Sequence, residues 1–352
     1  MSGDVYAPEA PDADLKEKRK VHWCCACLNK DLSNRRRCCC CCCWFSVCPC
    51  LFILGIGIYA IVSFARAHSS SLYTNIEING DFSAYYKANE ACTPSAPCPL
   101  SIMFHEWGGL NQDLIDLADL FVKERKVAVI VPDLYRGTAS PADNILYNII
   151  LRLSADQTQM DLDSDETLKW AIQQPGVDAD RVLAGPGFCF GGTQSLIFST
   201  RQNVSATITL YGSVIKTMAT APDEDWGLLG EGDRVLGIYG REDTRPSTAE
   251  VEAFSRALEE RNVIKEITIY DSVGHAFVTM HSIKDPSYDG GKAKAAWEQI
   301  LGYFDALPAR RLRAATGVRP TWQTDQWGSL AGVWSNLCAG EYFVRGMELD
   351  QA

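Results

Sequence analysis

The chain has 352 residues, 47% of them hydrophobic, enough for one large domain with accessory segments or for two small domains with real cores. Its net charge of −11 excludes a general nucleic-acid binder, which needs a basic face. Residues 1–43 carry eight Lys/Arg against six Asp/Glu, a net of +2, so the remainder carries −13. Eleven of the fifteen cysteines lie between Cys24 and Cys50, leaving only Cys92, Cys98, Cys189 and Cys338, and the two groups need separate explanations.

Residues 1–43 are polar, then basic, and end in the run Cys38, Cys39, Cys40, Cys41, Cys42 and Cys43. From Trp44 to Ala65 there is no charge, and the core of the stretch, LFILGIGIYAIVSFA, is strongly apolar. About 20 apolar residues cross a bilayer as a helix, so residues 44–66 are expected to form a transmembrane signal-anchor. The long polar leader distinguishes it from a cleaved signal peptide. Eight Lys/Arg precede the span, and only Arg66 and Lys87 follow it closely. The positive-inside rule then puts residues 1–43 in the cytosol and the rest in the lumen or outside the cell, with the lipid bilayer as a partner. Juxtamembrane cysteines beside a basic patch suit S-palmitoylation. A zinc site is less favoured, because the run holds no C-x-x-C pairs separated by a loop, and no metal or cofactor is expected.

Residues 67–100 read as a linker leading into the strands IEI (76–78) and FSAYYKA (82–88). Cys92 and Cys98 bracket a Pro/Ser turn, and the oxidising side of a membrane favours a disulfide over two free thiols. From residue 100 apolar runs alternate with amphipathic helices. LSIMFHE (100–106), VAVIVPDL (127–134), RVLAG (181–185), ATITLYG (206–212), RVLGIYG (234–240) and KEITIYD (265–271) read as strands. Helices are expected at 111–125, where Leu114, Leu117, Ala118 and Phe121 share a face, and at 142–153, 160–174 and 191–201. Another begins at the capping-box pair Ser247 and Glu250, and a last is striped by Trp297, Ile300, Leu301 and Phe304. This alternation predicts an α/β domain over 67–307, its mostly parallel sheet covered by helices on both faces. Residues 308–352, with Trp322, Trp327, Trp334, Tyr342 and Phe343, fit no element and are expected to pack on the domain or on a protein partner.

The segment RVLAGPGFCFGG (181–192) runs from a short strand through Gly-x-Cys-x-Gly-Gly into a helix. This is a nucleophile elbow with cysteine in place of serine. Gly187 and Gly191 keep Cβ atoms out of the tight turn. The helix N-terminus favours a thiolate at Cys189, and the Phe190 N–H is placed to bind an oxyanion. A phosphate-binding loop is less favoured, since no Lys-Ser/Thr follows the glycines. α/β-hydrolases order their triad as nucleophile, acid, base. Asp243 follows the strand RVLGIYG, and His275 follows KEITIYD, each where the carboxyl edge of the sheet would lie. Of the other histidines, His22 and His68 flank the apolar span, His105 sits beside Glu106, and His281 has no strand before it.

At HEWGGLN (105–111), VPDLYRG (131–137), GFCFGG (187–192), Asp243 and GHAF (274–277) the chain resembles the dienelactone hydrolase family, over about residues 72–307. The resemblance implies an α/β-hydrolase fold and hydrolysis of a small-molecule ester or lactone without a cofactor. It makes Cys189 the nucleophile, His275 the base and Asp243 its orienting acid. Glu106 corresponds to the acidic residue that contacts the resting thiol, Trp107 supplies a second oxyanion N–H, and Tyr211 matches a pocket tyrosine. One departure stands out: the substrate-gripping arginine expected four residues after the histidine is Thr279. A second family arginine corresponds to Arg136 or Arg152. A neutral or differently charged substrate is therefore expected. Asn203-Val-Ser205 is an N-glycosylation sequon, meaningful if this part of the chain lies outside the cytosol. Two other readings compete: a non-catalytic membrane-tethered assembly subunit, and a thioesterase or acyltransferase acting on lipid-linked substrates.

Overall fold

The strands expected from the alternation pair into one sheet. In a computed structural model of the chain, the described residues are 54–309, apart from 142, 286 and 288. They include β1 (His68–Ser69), β2 (Ile76–Ile78), β3 (Phe82–Ala88), β4 (Cys98–Phe104), β5 (Ala128–Pro132) and β6 (Thr138–Ala139). These are followed by β7 (Val177–Phe188), β8 (Ala206–Leu210), β9 (Arg234–Gly240) and β10 (Ile264–Tyr270). Eight of them form a sheet in the order β10-β9-β8-β7-β4-β5-β3-β2, while β1 and β6 form a small antiparallel pair. In the large sheet β3 runs antiparallel to β2 and β5, and the other pairs are parallel.

Parallel strands are covered on both faces, so they are apolar without alternation. Every residue of β4, β5 and β8 is buried. The two faces feed two cores: Val129 and Val131 of β5 join one, Ala128 and Ile130 the other. On the first face lies α1 (Gln112–Glu124), started by the Asn111 side chain accepting from the Leu114 N–H. Its Phe121 meets Trp297 and Phe304 edge-on at 5.8 and 5.0 Å, and full burial of such a ring stabilises by about 1.5–3 kcal/mol. The first core also takes in the short α5 (Ile215–Met218), α6 (Thr248–Glu260), which starts at the expected Ser247–Glu250 capping box, and α8 (Lys292–Asp305). The second core takes Met160, Leu168 and Ala171 of α3 (Gln157–Ala171), behind α2 (Ile145–Ser154) in the chain.

Some boundaries differ from expectation. The strand expected at 181–185 extends over Val177–Phe188 because β4 and β8 pair with it on either side. The helices expected at 142–153 and 160–174 lie at Ile145–Ser154 and Gln157–Ala171; the Asp156 side chain accepts from the Thr158 N–H and sets the second start. Cys92 and Cys98 are joined in a disulfide.

The chain divides into two units, one ending at Val62 and one starting at Ser63. Residues 54–65 are helical, and Leu54, Ile56, Ile58, Tyr59, Ile61, Val62 and Phe64 are exposed. Among the described residues no helix is long and apolar enough to cross a membrane. The expected span begins at residue 44, so part of it lies outside the described residues, as do Cys38–Cys43 with the rest of 1–43, and the C-terminal extension from residue 310 on.

Candidate active site

β7 ends at Phe188 and α4 (Phe190–Arg201) begins at Phe190, leaving Cys189 alone at the turn with φ 55° and ψ −112°. Such backbone costs about 1–3 kcal/mol and persists only where the surroundings hold it. Here the Cys189 N–H donates to Leu210 O at 3.0 Å, and the Thr193 N–H donates to Cys189 O at 3.1 Å. The glycines are explained by close approach. A Cβ on Gly187 would lie 2.2 Å from Gly191 O, and one on Gly191 only 2.0 Å from Phe104 O. Gly191 therefore lets the start of α4 lie against the end of β4, where His105, Glu106 and Trp107 follow.

The predicted triad residues are joined in series. His275 Nε2 lies 2.9 Å from Cys189 Sγ, and His275 Nδ1 lies 2.7 Å from Asp243 Oδ2. The other oxygen of Asp243 accepts from the Arg245 N–H at 2.7 Å, fixing the buried carboxylate. Burial pulls the imidazole pKa down. The Cys189 sulfur and the Asp243 carboxylate outweigh it, and the pKa stands well above its ordinary value.

Glu106 is partly buried at the end of β4. Desolvation pushes its carboxyl up to about 7, with His275 opposing and Asp113 adding to the rise. The thiol's hydrogen-bond partner is His275 rather than Glu106, which acts on the site through charge. Phe190, as the first residue of α4, has an N–H with no carbonyl to meet inside the helix. Trp107 lies in the turn after β4, closed by the Gly109 N–H donating to Glu106 O at 3.0 Å.

A model of the dienelactone hydrolase family matches residues 86–307, which covers every one of these groups. This chain belongs to the dienelactone hydrolase family. Among its relatives, a provisionally assigned carboxymethylenebutenolidase of Salmonella typhimurium is 28% identical over 239 residues, 66% of this chain and 85% of that one. One from Yersinia pestis is 29% identical over 217 residues, 60% and 79% of the two chains. A solved dienelactone hydrolase-like promiscuous phosphotriesterase from metagenomic libraries shares the fold at TM-score 0.53 and 20% identity, covering 68% of this chain and 98% of its own. The enzyme is a carboxylic ester hydrolase of this family, on a mostly parallel α/β-hydrolase sheet.

The family arginine position is occupied differently. Thr279 caps α7 (Met280–Lys284): its hydroxyl accepts from the Ser282 N–H at 3.1 Å, and its own N–H donates to Ser282 Oγ at 2.9 Å. The two other candidate arginines part ways. Arg136 is held on Asp163 at 2.7 Å and on Asp81 at 2.8 Å, in an ion-pair cluster that ties α3 to the β2–β3 turn. Arg152, from α2, lies with its guanidinium 5.0 Å over the ring of Phe190, next to Cys189. Burial lowers its pKa, with Tyr135 opposing.

Tyr211 is fully buried with its ring 5.0 Å from that of His275, and its hydroxyl donates to Val278 O at 3.3 Å. It steadies the loop that carries His275. Asn203 lies in the turn after α4, half-buried.

Two site residues escape sequence reasoning. His105 is wholly buried: its Nδ1 donates to Glu106 O at 2.7 Å while Nε2 accepts from the Leu134 N–H at 3.2 Å, so the ring pins the turn holding Trp107 to the loop after β5. Tyr135 of that loop stacks on Phe190 at 5.7 Å. The signals for them are their places just past strand ends and within the family-like motifs HEWGGLN and VPDLYRG, neither of which says what the side chain does.

Proposed function

We propose that the enzyme hydrolyses a neutral ester or lactone through an acyl thioester on Cys189, with the catalytic domain tethered to a membrane outside the cytosol. The observation that carries the catalytic half is the hydrogen-bonded series Cys189–His275–Asp243 at 2.9 and 2.7 Å. His275 holds the Cys189 proton, so the sulfur attacks as thiolate. A C–S bond forms as the carbonyl electron pair moves to oxygen, which the Phe190 and Trp107 N–H groups bind. On collapse the C–O bond to the leaving alkoxide breaks, and His275 gives that oxygen its proton. His275 then takes a proton from water, the hydroxide attacks the thioester, and the acid leaves with Cys189 restored. With a lactone, acid and alcohol stay in one molecule. Arg152, over the Phe190 ring, is the cation beside the elbow, and Tyr211 positions His275.

Cys189→Ala tests this. The variant is expected to fold with an unchanged melting profile and to lose all turnover of p-nitrophenyl esters and lactones; undiminished turnover refutes the mechanism. The tether is supported by the uncharged stretch at 44–65 and by the Cys92–Cys98 disulfide, which persists in oxidising compartments. A glycan found on Asn203 fits a lumenal or extracellular domain, whereas phosphorylation of the domain by cytosolic kinases refutes that placement.

A further inference from the structure

Helix α2 is turned inside out. Its sequence is ILYNIILRLS, with Asn144 at the cap. Positions 144, 148, 151 and 152 form one stripe of a helix. That stripe faces inward, because Asn144, Asn148 and Leu151 are buried and Arg152 reaches the Phe190 ring. The inner face thus holds two asparagines and an arginine beside a single leucine, Leu151. The outer face holds Ile145, Leu146, Ile149 and Ile150, all only half-buried, and Leu153, 45% exposed. A helix covering a domain in water shows the reverse arrangement.

The inner stripe borders the active site. Asn148 lies beside Gly108, where an added Cβ would come within 3.7 Å of its Oδ1, and Gly108 follows the oxyanion residue Trp107. The Ser140 N–H donates to Gly108 O at 2.8 Å, and Asn144 Nδ2 donates to Ser140 Oγ at 2.8 Å. Helix α2 therefore roofs the oxyanion turn and the elbow together.

The same helix holds the stem of the apolar stretch. Asn144 donates to Ser63 O at 2.7 Å, Phe64 meets Tyr147 edge-on at 5.1 Å, and Arg66 grips both oxygens of Asp143 at 2.6 and 2.7 Å. Residues 63–66 are thus fastened to the start of α2, and the uncharged stretch 44–65 ends inside that clamp. Residues 63–65 belong to the helix of 54–65 and rise only about 1.5 Å each, so the clamp leaves the uncharged stretch about 5 Å of chain from the start of α2. An amphipathic helix lying in a membrane surface buries its apolar face about 5–10 Å deep, a depth of the same order.

We propose that the outer face of α2 lies in the bilayer surface, so that the active site receives its acyl esters from the lipid phase: the substrate class is a hydrophobic, membrane-dissolved ester. This rests on the membrane-anchor reading given above. The test uses the full chain reconstituted in phosphatidylcholine vesicles. Ile149→Glu/Leu153→Glu is assayed on a long-chain fluorogenic acyl ester dissolved in the vesicles and on water-soluble p-nitrophenyl acetate. A loss of tenfold or more on the vesicle-borne ester is expected, with acetate turnover within twofold of wild type. Equal loss on both substrates, or loss on neither, overturns the proposal. A second measurement leaves the fold untouched: Leu153→p-benzoylphenylalanine is photolysed in the same vesicles. Crosslinks to phospholipid are expected, whereas crosslinks to protein alone refute the bilayer as occupant of this face. Carbonate extraction separates the two readings. A chain released from the vesicles fails as an anchored protein. A carbonate-resistant chain without lipid crosslinks at position 153 keeps its anchor and refutes only the placement of α2.

Discussion

Glu106 offers the sharpest quantitative test of the site. Its carboxyl stands at about 7 against an ordinary 4.5 because the fold strips water from the charged form. The folded state therefore prefers the protonated acid. That preference is fully present below the unfolded value near 4.5 and is lost as pH rises through about 7. At 1.36 kcal/mol per unit, the ionised carboxylate costs the folded enzyme about 3 kcal/mol above pH 8. Glu106→Gln keeps the shape of the neutral acid and cannot ionise. The variant is expected to match wild type in stability near pH 4.5 and to exceed it by about 3 kcal/mol at pH 8, most of the difference building between pH 5 and 7.5. His275, raised well above its ordinary value, contributes stability that is full below the ordinary imidazole range and lost only as pH passes its raised value. Both proteins share that contribution, so it largely cancels. Urea unfolding of the two proteins across this range, followed by near-ultraviolet circular dichroism, measures the difference. A difference that stays flat to within about 0.5 kcal/mol from pH 4.5 to 8 refutes the desolvation argument. In activity, the Gln variant is expected to lose the inflection near pH 7 from its kcat/KM profile.

Asp243→Asn leaves His275 without an anionic partner at 2.7 Å, and kcat is expected to fall about 10⁴-fold, the scale of the same change in a serine-protease triad, with KM little moved. Steady-state kinetics decides; a fall below tenfold removes Asp243 from the mechanism. Tyr211→Phe deletes the hydrogen bond to Val278 O and is expected to lower stability by about 1 kcal/mol and kcat by less than about tenfold. A large KM change instead would make Tyr211 a substrate contact. Replacing Cys92 and Cys98 together by alanine opens a short loop, costing about 2 kcal/mol on the loop-entropy scale, and calorimetry is expected to show a Tm lower by roughly 4–8 °C.

The elbow and the triad are legible in the sequence because each rests on local rules. A strained turn needs Gly187 and Gly191 around its nucleophile, and the acid and base each follow an apolar strand of the parallel sheet. The core strands are legible for the same reason, being short runs buried on both faces. What the sequence hides is set by partners distant along the chain. Helix α3 starts three residues earlier than its apolar stripe indicates, because the Asp156 side chain caps it, and it buries Asp161 and Asp163 against Arg201 and Arg136, which a hydrophobic pattern counts as surface. The capping role of Thr279 and the pinning role of His105 are likewise visible only once the loops have been brought together.

The arginines narrow the substrate further than the triad does. Grip on a substrate carboxylate needs cations that are free to turn to it. The position four residues after His275 holds a helix cap, and Arg136 is locked between two aspartates. Arg152 lies over the Phe190 ring beside the elbow, and Glu106 and Asp113 add negative charge around Tyr211 in the same site. An anionic substrate would meet one desolvated cation, Glu106, which ionises as pH rises through about 7, and a second acid, Asp113. A neutral ester meets no such opposition. Both positions serve folding instead: Arg136 as an ion-pair hub, Thr279 as a helix cap. That exchange, together with an inverted roof helix fastened to an apolar stem, is coherent for an enzyme whose substrate arrives in a hydrophobic phase and carries no charge to be gripped.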